Sequence, residues 1–166
     1  FKYITTKRPY IAVRAGRWMD GKVTDKNRNS QWMTSESLRG VSHNLRAEFS
    51  GILCGYKTVM DDNPNLTLRS DQWKEKRLHR VILDTRNQLP SDLNIFKNQD
   101  KAPTIIFSSL NEKMTKKTDK HYFINEVSGK LDLDEVLSKL YDLGIVSLII
   151  ESGGNLLNSL FKKRIY

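Results

Sequence analysis

The chain has 166 residues, with 28 Lys or Arg against 19 Asp or Glu, for a net charge of +9. At 38% hydrophobic and 28% charged it can bury the core of one domain, and it lacks the composition of a disordered chain. No run approaches the ~18 apolar residues of a membrane-spanning helix, and no secretory leader opens the sequence.

The positive charge has three readings: a solvated basic surface, a phosphate-bearing ligand, or nucleic acid, in that order. The basic residues are scattered, with modest clusters at 113–120 and 162–164, and no basic tract is interleaved with aromatics. Cys54 is the single cysteine and lies in an apolar run, so it reads as a buried thiol in a reducing cytoplasm. A disulfide within the chain and a cysteine-based zinc site are excluded, and no metal is expected.

Taken in chain order, the first strand is expected over 9–15. Gly16, a Met19-Asp-Gly-Lys22 turn and a polar loop over 20–31 follow. Over 34–49, Leu38, Val41, Leu45 and Phe49 keep helical spacing and form the expected core face. Thr34 or Ser35 is the cap and Glu36 lies in the first turn, while Arg39, His43 and Arg46 make a second stripe. A buried strand over 51–54 then ends in Gly55. It opens into a short helix and a polar loop that offers Asp61, Asp62 and Arg69.

Residues 70–78 read as another loop. Strands are expected over 79–84, 103–108 and 146–150. The last two are nearly continuous apolar runs, as in strands covered on both faces. Over 132–143 the core face is Leu133, Val136, Leu137, Leu140 and Tyr141, with Asp132, Asp134 and Glu135 at the start and Gly144 at the stop. The final helix, about 154–163, carries Leu156, Leu157, Leu160 and Phe161. Alternating strands and helices predict a mainly parallel α/β sheet with helices on both faces. Phe1 is not an initiator Met, and a helix ends at Tyr166 where a parallel sheet would continue, so the chain is expected to be a piece of a longer one.

Glu151-Ser-Gly-Gly-Asn155 follows a buried strand and opens a helix. A carboxylate there sits at the crevice of an open α/β sheet, and the glycines let a ligand approach the backbone. Two alternatives stay open: Glu151 as a cap of the helix, and the glycines as a plain turn. The sequence has no Gly-x-Gly-x-x-Gly after the first strand, no Walker loop and no zinc-deaminase signature. His43, His79 and His121 are dispersed and read as surface or helix-face residues.

Arg8-Pro-Tyr-Ile-Ala-Val-Arg-Ala-Gly16, Ser30-Gln-Trp-Met-Thr-Ser35, Leu45-Arg-Ala-Glu48, Thr58-Val-Met-Asp-Asp-Asn-Pro64, Leu66-Thr-Leu-Arg69, Val81-Ile-Leu-Asp-Thr85 and Glu151-Ser-Gly-Gly154 occur in order. Together they resemble the reductase domain of the bifunctional riboflavin-biosynthesis deaminase/reductase, from about Phe1 to the C-terminus. The resemblance implies a dihydrofolate-reductase-like α/β fold and NADPH as cofactor. The implied reaction reduces the ribosyl group of 5-amino-6-(5-phosphoribosylamino)uracil. It also implies a deaminase domain upstream, with residues 1–8 as linker remnant, a homo-oligomer in the cytoplasm, and neither nucleic acid nor membrane as partner.

Cofactor contacts carried over by the resemblance fall on Gly16, Trp32, Thr58, Asp62, Thr85, Gly153, Gly154, Asn155 and Leu156. Substrate contacts fall on Ser30, Arg46, Leu66, Arg69 and Glu151. Arg46 and Arg69 are the implied clamps for the 5′-phosphate. Asp62 is the implied proton-handling carboxylate, with Glu151 and Arg14 as further catalytic candidates.

Two positions depart from the family's pattern. Arg14 stands where the family usually has Lys, and Trp18-Met-Asp-Gly21 replaces a Ser-Leu-Asp-Gly turn. Arginine does not readily give up a proton, so Arg14 reads as a weakened acid or as a cation that pairs with an anion. The C-terminal strands with which the family completes its sheet and subunit contacts are not in this sequence. A second reading therefore stands beside the first: a catalytically silent or altered-substrate homologue that binds NADPH or a phosphoribosyl group.

Overall fold

A computed structural model of the chain describes residues 2–15, 36–68, 71–73, 75–110 and 117–165. A short helix α1 (Lys2–Thr6) leads into strand β1 (Tyr10–Val13), and α2 (Glu36–Ala47) into β2 (Gly51–Gly55). Then come α3 (Tyr56–Asp62), β3 (His79–Leu83), β4 (Thr104–Ser109) and β5 (His121–Ile124). A small hairpin of β6 (Glu126–Val127) and β7 (Lys130–Leu131) precedes α4 (Leu133–Asp142), β8 (Ser147–Ile150) and α5 (Gly154–Lys162). The larger sheet has six strands, all parallel, in the order β1-β8-β2-β3-β4-β5. The fold is therefore the mainly parallel α/β sheet that the alternating pattern predicts.

Alternation along each strand divides the core in two. Leu53, Val81, Leu83, Ile105, Phe107, Leu148 and Ile150 face α4 and α5, meeting Val136, Leu137, Leu140, Leu157 and Leu160. Ile52, Cys54, Ile82 and Ile149 face the other way, onto Phe49, Val59, Leu66, Leu78, Leu89, Leu93 and Ile95. Burying one such Leu, Ile or Phe side chain contributes about 1.5–3 kcal/mol, so strands covered on both faces are the stable centre. Arg80 lies on the second face, 1% exposed. Its guanidinium donates to the carbonyls of Asn65 (3.2 Å), Asn94 (3.4 Å), Lys97 (2.9 Å) and Ala102. Burial lowers its pKa to about 10, so it is still charged at neutral pH. Those carbonyls tie the loop after α3 to the 94–102 segment. Asn94 adds two hydrogen bonds of 2.9 Å to Asn63, its backbone N–H donating to Oδ1 and its side-chain Nδ2 to the carbonyl.

Several expectations are corrected. Val41 and Leu45 are 63% and 37% exposed; Phe49, just past α2, is buried as expected, and the end of α2 buries Ala47 beside half-buried Arg46. The apolar stripe is thus rotated, because this helix must turn a cation inward. The side chains of Leu38, Arg39 and His43, and the cap at Thr34 or Ser35, lie outside the described residues. Phe161 is 51% exposed, leaving Leu157 and Leu160 as the buried residues of α5.

His121 is 2% exposed in β5, a strand the polar flanks of 111–125 concealed, and His79 is half-buried in β3. The neutral His121 ring takes the Lys117 N–H on Nδ1 (3.1 Å), so Nε2 carries the hydrogen and donates to Ser108 Oγ (2.9 Å). That direction is opposite to what a histidine base acting on a serine needs. Residues 2–6 form a turn of helix whose Tyr3 ring lies 4.6 Å from that of Tyr141.

The Asp132 side chain caps α4 by accepting from the Asp134 N–H at 3.0 Å, and Lys163 bridges both carboxylates at 3.1 and 2.7 Å. Asp132→Ala is expected to lower unfolding free energy by about 1 kcal/mol, as measured by urea denaturation, with the sheet intact.

Candidate active site at the carboxyl ends of three strands

The last strand in sequence is inserted between the first two. Register then decides which residues meet. Val13 pairs with Ile150, and Leu53 pairs with Ile150 on the other side. The next residue on each strand, Arg14, Glu151 and Cys54, therefore stands at one level above the sheet. Alternation points all three toward the face that carries Phe49 and Val59, the same side as Ala12, Ile149 and Ile52. The backbone pairs as well: Arg14 N–H donates to Ile150 O (3.0 Å) and Glu151 N–H to Leu53 O (3.1 Å).

Glu151 is held by two guanidinium groups. Arg46, from the last turn of α2, donates Nε to Oε1 at 2.8 Å and Nη2 to Oε2 at 2.7 Å. Arg14 adds Nη1 to Oε2 at 3.0 Å. The side chains of Glu151 and Arg46 are 12% and 16% exposed, so the cluster is largely withdrawn from water. Burial alone would raise the Glu151 pKa, but hydrogen bonds and charge from Arg46, then Arg14, hold it below the usual carboxylate range. For Arg46, burial pulls downward and Glu151 more than offsets it, keeping the pKa above its ordinary value.

The Cys54 thiol donates to the Glu151 carbonyl at 2.9 Å. Burial, and then the charge of Glu151, push its pKa far up, so it stays a neutral thiol as the sequence implies.

A second group closes the next gap. Gly55 N–H donates to Ser152 Oγ at 3.2 Å, Ser152 Oγ lies 3.3 Å from Thr58 Oγ1, and Gly153 N–H donates to Thr58 Oγ1 at 3.3 Å. These bonds join the turn after β2 to the turn after β8. Gly153 is the N-cap of α5 and has no side-chain cap bond. Glu151 is thus not the cap of this helix, and its carboxylate is turned to the arginines. A Cβ at Gly153 or Gly154 would meet none of the described residues within 4 Å, so among them the backbone at the start of α5 is open.

Of the residues singled out from sequence, Arg14, Arg46 and Glu151 touch, and Thr58 touches Gly153. Asn155 and Leu156 lie in the first turn of α5, with Asn155 exposed and Leu156 half-buried. Thr85 follows β3 on the carboxyl side of the sheet, its carbonyl accepting from Ser109 N–H at 3.0 Å. Asp62 ends α3, half-buried and near enough for its charge to weigh on the Cys54 thiol, whereas Asp61 is exposed. Leu66 is 5% exposed in the core cluster shared with Cys54 and has φ of 49°, a left-handed conformation costly for a branched side chain. Gly16, Ser30, Trp32 and Arg69 lie outside the described residues, as does Trp18.

The phosphate-clamp role implied for Arg46 has to share the side chain with Glu151. Two of its five donors are given to Glu151, so in this structure it is first a carboxylate clamp. A phosphate would meet the remaining edge of the guanidinium. Sequence reasoning did not single out Ser152, although it stands inside the Glu-Ser-Gly-Gly motif. It also missed the bond from Cys54 to Glu151. The signal for both would have been strand register, which no local pattern carries.

Elsewhere, a cavity of about 240 Å³ lined by Arg8, Pro9, Ile11, Leu137 and Ile165 lies at the amino end of β1, away from this crevice. Among the described residues, no cluster of His, Cys, Asp or Glu could hold a metal, and no helix is long and apolar enough to cross a membrane.

An open parallel sheet with a buried carboxylate between guanidinium groups, beside a glycine-started helix, defines an α/β protein with an anion-receptive crevice. The family model of the RibD C-terminal domain matches residues 9–166, and the chain belongs to that family. It is 37% identical to the riboflavin biosynthesis protein RibD of Aquifex aeolicus, over 98% of this chain and 45% of that protein. It is 31% identical to the 2,5-diamino-6-ribosylamino-4(3H)-pyrimidinone 5′-phosphate reductase of Methanothermobacter thermautotrophicus, over 90% of this chain and 69% of that protein. A crystal structure of a diaminohydroxyphosphoribosylaminopyrimidine deaminase/5-amino-6-(5-phosphoribosylamino)uracil reductase from Thermotoga maritima superposes with a TM-score of 0.79. It is 31% identical, covering 98% of this chain and 44% of the other. The fold is accordingly dihydrofolate-reductase-like, and the chain spans about 45% of the length of its RibD relatives.

Replacing Glu151 by Gln is expected to cost about 1–3 kcal/mol at pH 7 in denaturant unfolding, because two partly buried guanidinium groups lose their counter-charge. The folded pKa lies below the ordinary value, so this contribution is full above the ordinary glutamate range. It is lost as pH falls through the lowered value, where variant and parent should converge.

Proposed function

We propose that this chain is the reductase unit of riboflavin biosynthesis, reducing the ribosyl group of 5-amino-6-(5-phosphoribosylamino)uracil to a ribityl chain with NADPH. The observation that carries the reading is the Arg14–Glu151–Arg46 cluster at the carboxyl ends of three adjacent strands, in a chain of the RibD C-terminal family. NADPH, when bound, supplies the hydride. The open backbone of Gly153 and Gly154 at the start of α5, with Thr58 across the gap, suits its phosphates.

The residues have separate tasks in this reading. Glu151 is kept ionised by two guanidinium groups, so it accepts hydrogen bonds from sugar hydroxyls rather than donating a proton. Arg14 acts as the fixed cation of that pair, which suits an arginine where the family usually has lysine. Arg46, with Arg69, turns its remaining donors to the 5′-phosphate. Asp62, at the end of α3, handles the proton that accompanies reduction of the opened, imine-like sugar at C1′. The open-chain form is reduced because hydride adds to a C=N bond, leaving the amine and the ribityl chain.

The relatives' names raise a second substrate, the 2,5-diamino pyrimidinone phosphate, reduced before deamination. Both compounds present the same phosphoribosylamino arm to Arg46 and Glu151.

The test is NADPH oxidation by the whole protein with each compound in turn, and a control without either. Faster oxidation with the uracil compound is the expected result, and preference for the diamino compound would shift the assignment to that substrate. Tight NADPH binding without turnover on either would replace the proposal with the silent-binder reading. Asp62→Ala is expected to lower kcat by about 10²–10⁴-fold, and unchanged turnover would remove Asp62 from the mechanism.

A further inference from the structure

Ser152 stands between two turns that form one wall of the crevice. Its Oγ accepts the Gly55 N–H, and Thr58 Oγ1 accepts the Gly153 N–H. Each hydroxyl thus satisfies a backbone donor of the opposite turn, across more than ninety residues of sequence. The two oxygens lie 3.3 Å apart, so one of their two hydroxyl hydrogens spans the gap between them. Among the described residues the other hydrogen has no acceptor. Both side chains are half-buried, at the edge of the open space beside Gly153 and Gly154.

Among the described residues the packing around this pair is close on one side only. A Cβ added at Gly55 would lie 3.3 Å from Ser152 Oγ and 3.9 Å from Leu156 Cδ2. The turn after β2 therefore rests directly on the serine hydroxyl, while the start of α5 stays open.

We propose that Ser152 is a positioning residue for the cofactor side of the crevice: it fixes the spacing of the two turns and orients Thr58, leaving one hydroxyl hydrogen of the pair for an oxygen of an anionic ligand. This rests on the reading of the crevice as a nicotinamide-nucleotide site and deepens it. The serine acts through Thr58 and the Gly153 amide. Glu151, one residue earlier, is turned to the arginines and serves the sugar phosphate. One short turn thus divides its residues between two ligands.

The test uses the whole protein and three versions: parent, Ser152→Ala and Ser152→Thr. Hydrogen exchange at the Gly55 and Gly153 amides is measured without ligand, then NADPH affinity by fluorescence, then KM for the phosphoribosyl substrate. The alanine variant is expected to speed exchange at both amides and weaken NADPH by about 3- to 10-fold, the worth of one hydrogen bond. Its KM for the sugar phosphate should stay within about twofold, and threonine should restore both properties by returning the hydroxyl.

Unchanged exchange in the alanine variant overturns the proposal. So does an equal weakening of both ligands, which would mean general distortion, or failure of threonine to rescue. Should the parent itself not bind NADPH, the nucleotide reading fails separately and exchange still decides whether Ser152 positions the turns.

Discussion

Everything at the crevice depends on one buried carboxylate held between two guanidinium groups. Glu151 can sit there ionised because Arg46 offers a two-pronged match to its oxygens and Arg14 adds a third bond. Removed from water alone, such a carboxylate would be strongly disfavoured; paired in this way it becomes a fixed negative point. The cluster also joins three parts of the chain: the end of β1, the last turn of α2 and the end of β8. Its geometry therefore requires that β8 enter the sheet between β1 and β2.

The rest of the molecule keeps that arrangement in place with similar devices. Arg80 is held by four backbone carbonyls, which lets a charged group stand inside the second core face as a strut. Asp84, 1% exposed, takes the N–H groups of Gln88 and Leu89 at 3.0 and 2.9 Å and lies 3.6 Å from Lys117 Nζ. Lys117 also donates to the carbonyls of Asn87 and Leu89. These contacts shape the loops at the two ends of β3. The apolar faces supply the cohesion, and the buried polar groups choose one loop conformation among several of similar burial.

The fold was largely legible. The near-continuous apolar runs at 104–107 and 146–150 read as strands covered on both faces, and the Val136, Leu137, Leu140 spacing as one buried helix face. What escaped were elements whose apolar pattern is short or interrupted. β5 has a histidine and a tyrosine where a core strand usually has aliphatics, and α2 spends its inward position on Arg46 in place of Leu45. In both cases a polar residue is drawn inward to a partner on another segment, Glu151 for Arg46 and Ser108 for His121, and periodicity cannot see partners.

For the site, the sequence by itself determined which chemistry was on offer: Glu151 after a buried strand, glycines before a helix, arginines at 14 and 46, a hydroxyl at 58. Glu151 and the glycines stand out by their place between a buried strand and a helix, whereas Arg14, Arg46 and Thr58 come forward through the resemblance of their motifs. Only the tertiary structure decided that Arg46 spends its fork on Glu151, that Ser152 and Thr58 bind each other's turns, and that Cys54 holds the Glu151 carbonyl. Those contacts join residues about a hundred positions apart, and they follow from parallel strand register and the insertion of the last strand, quantities that no local pattern of amino acids encodes.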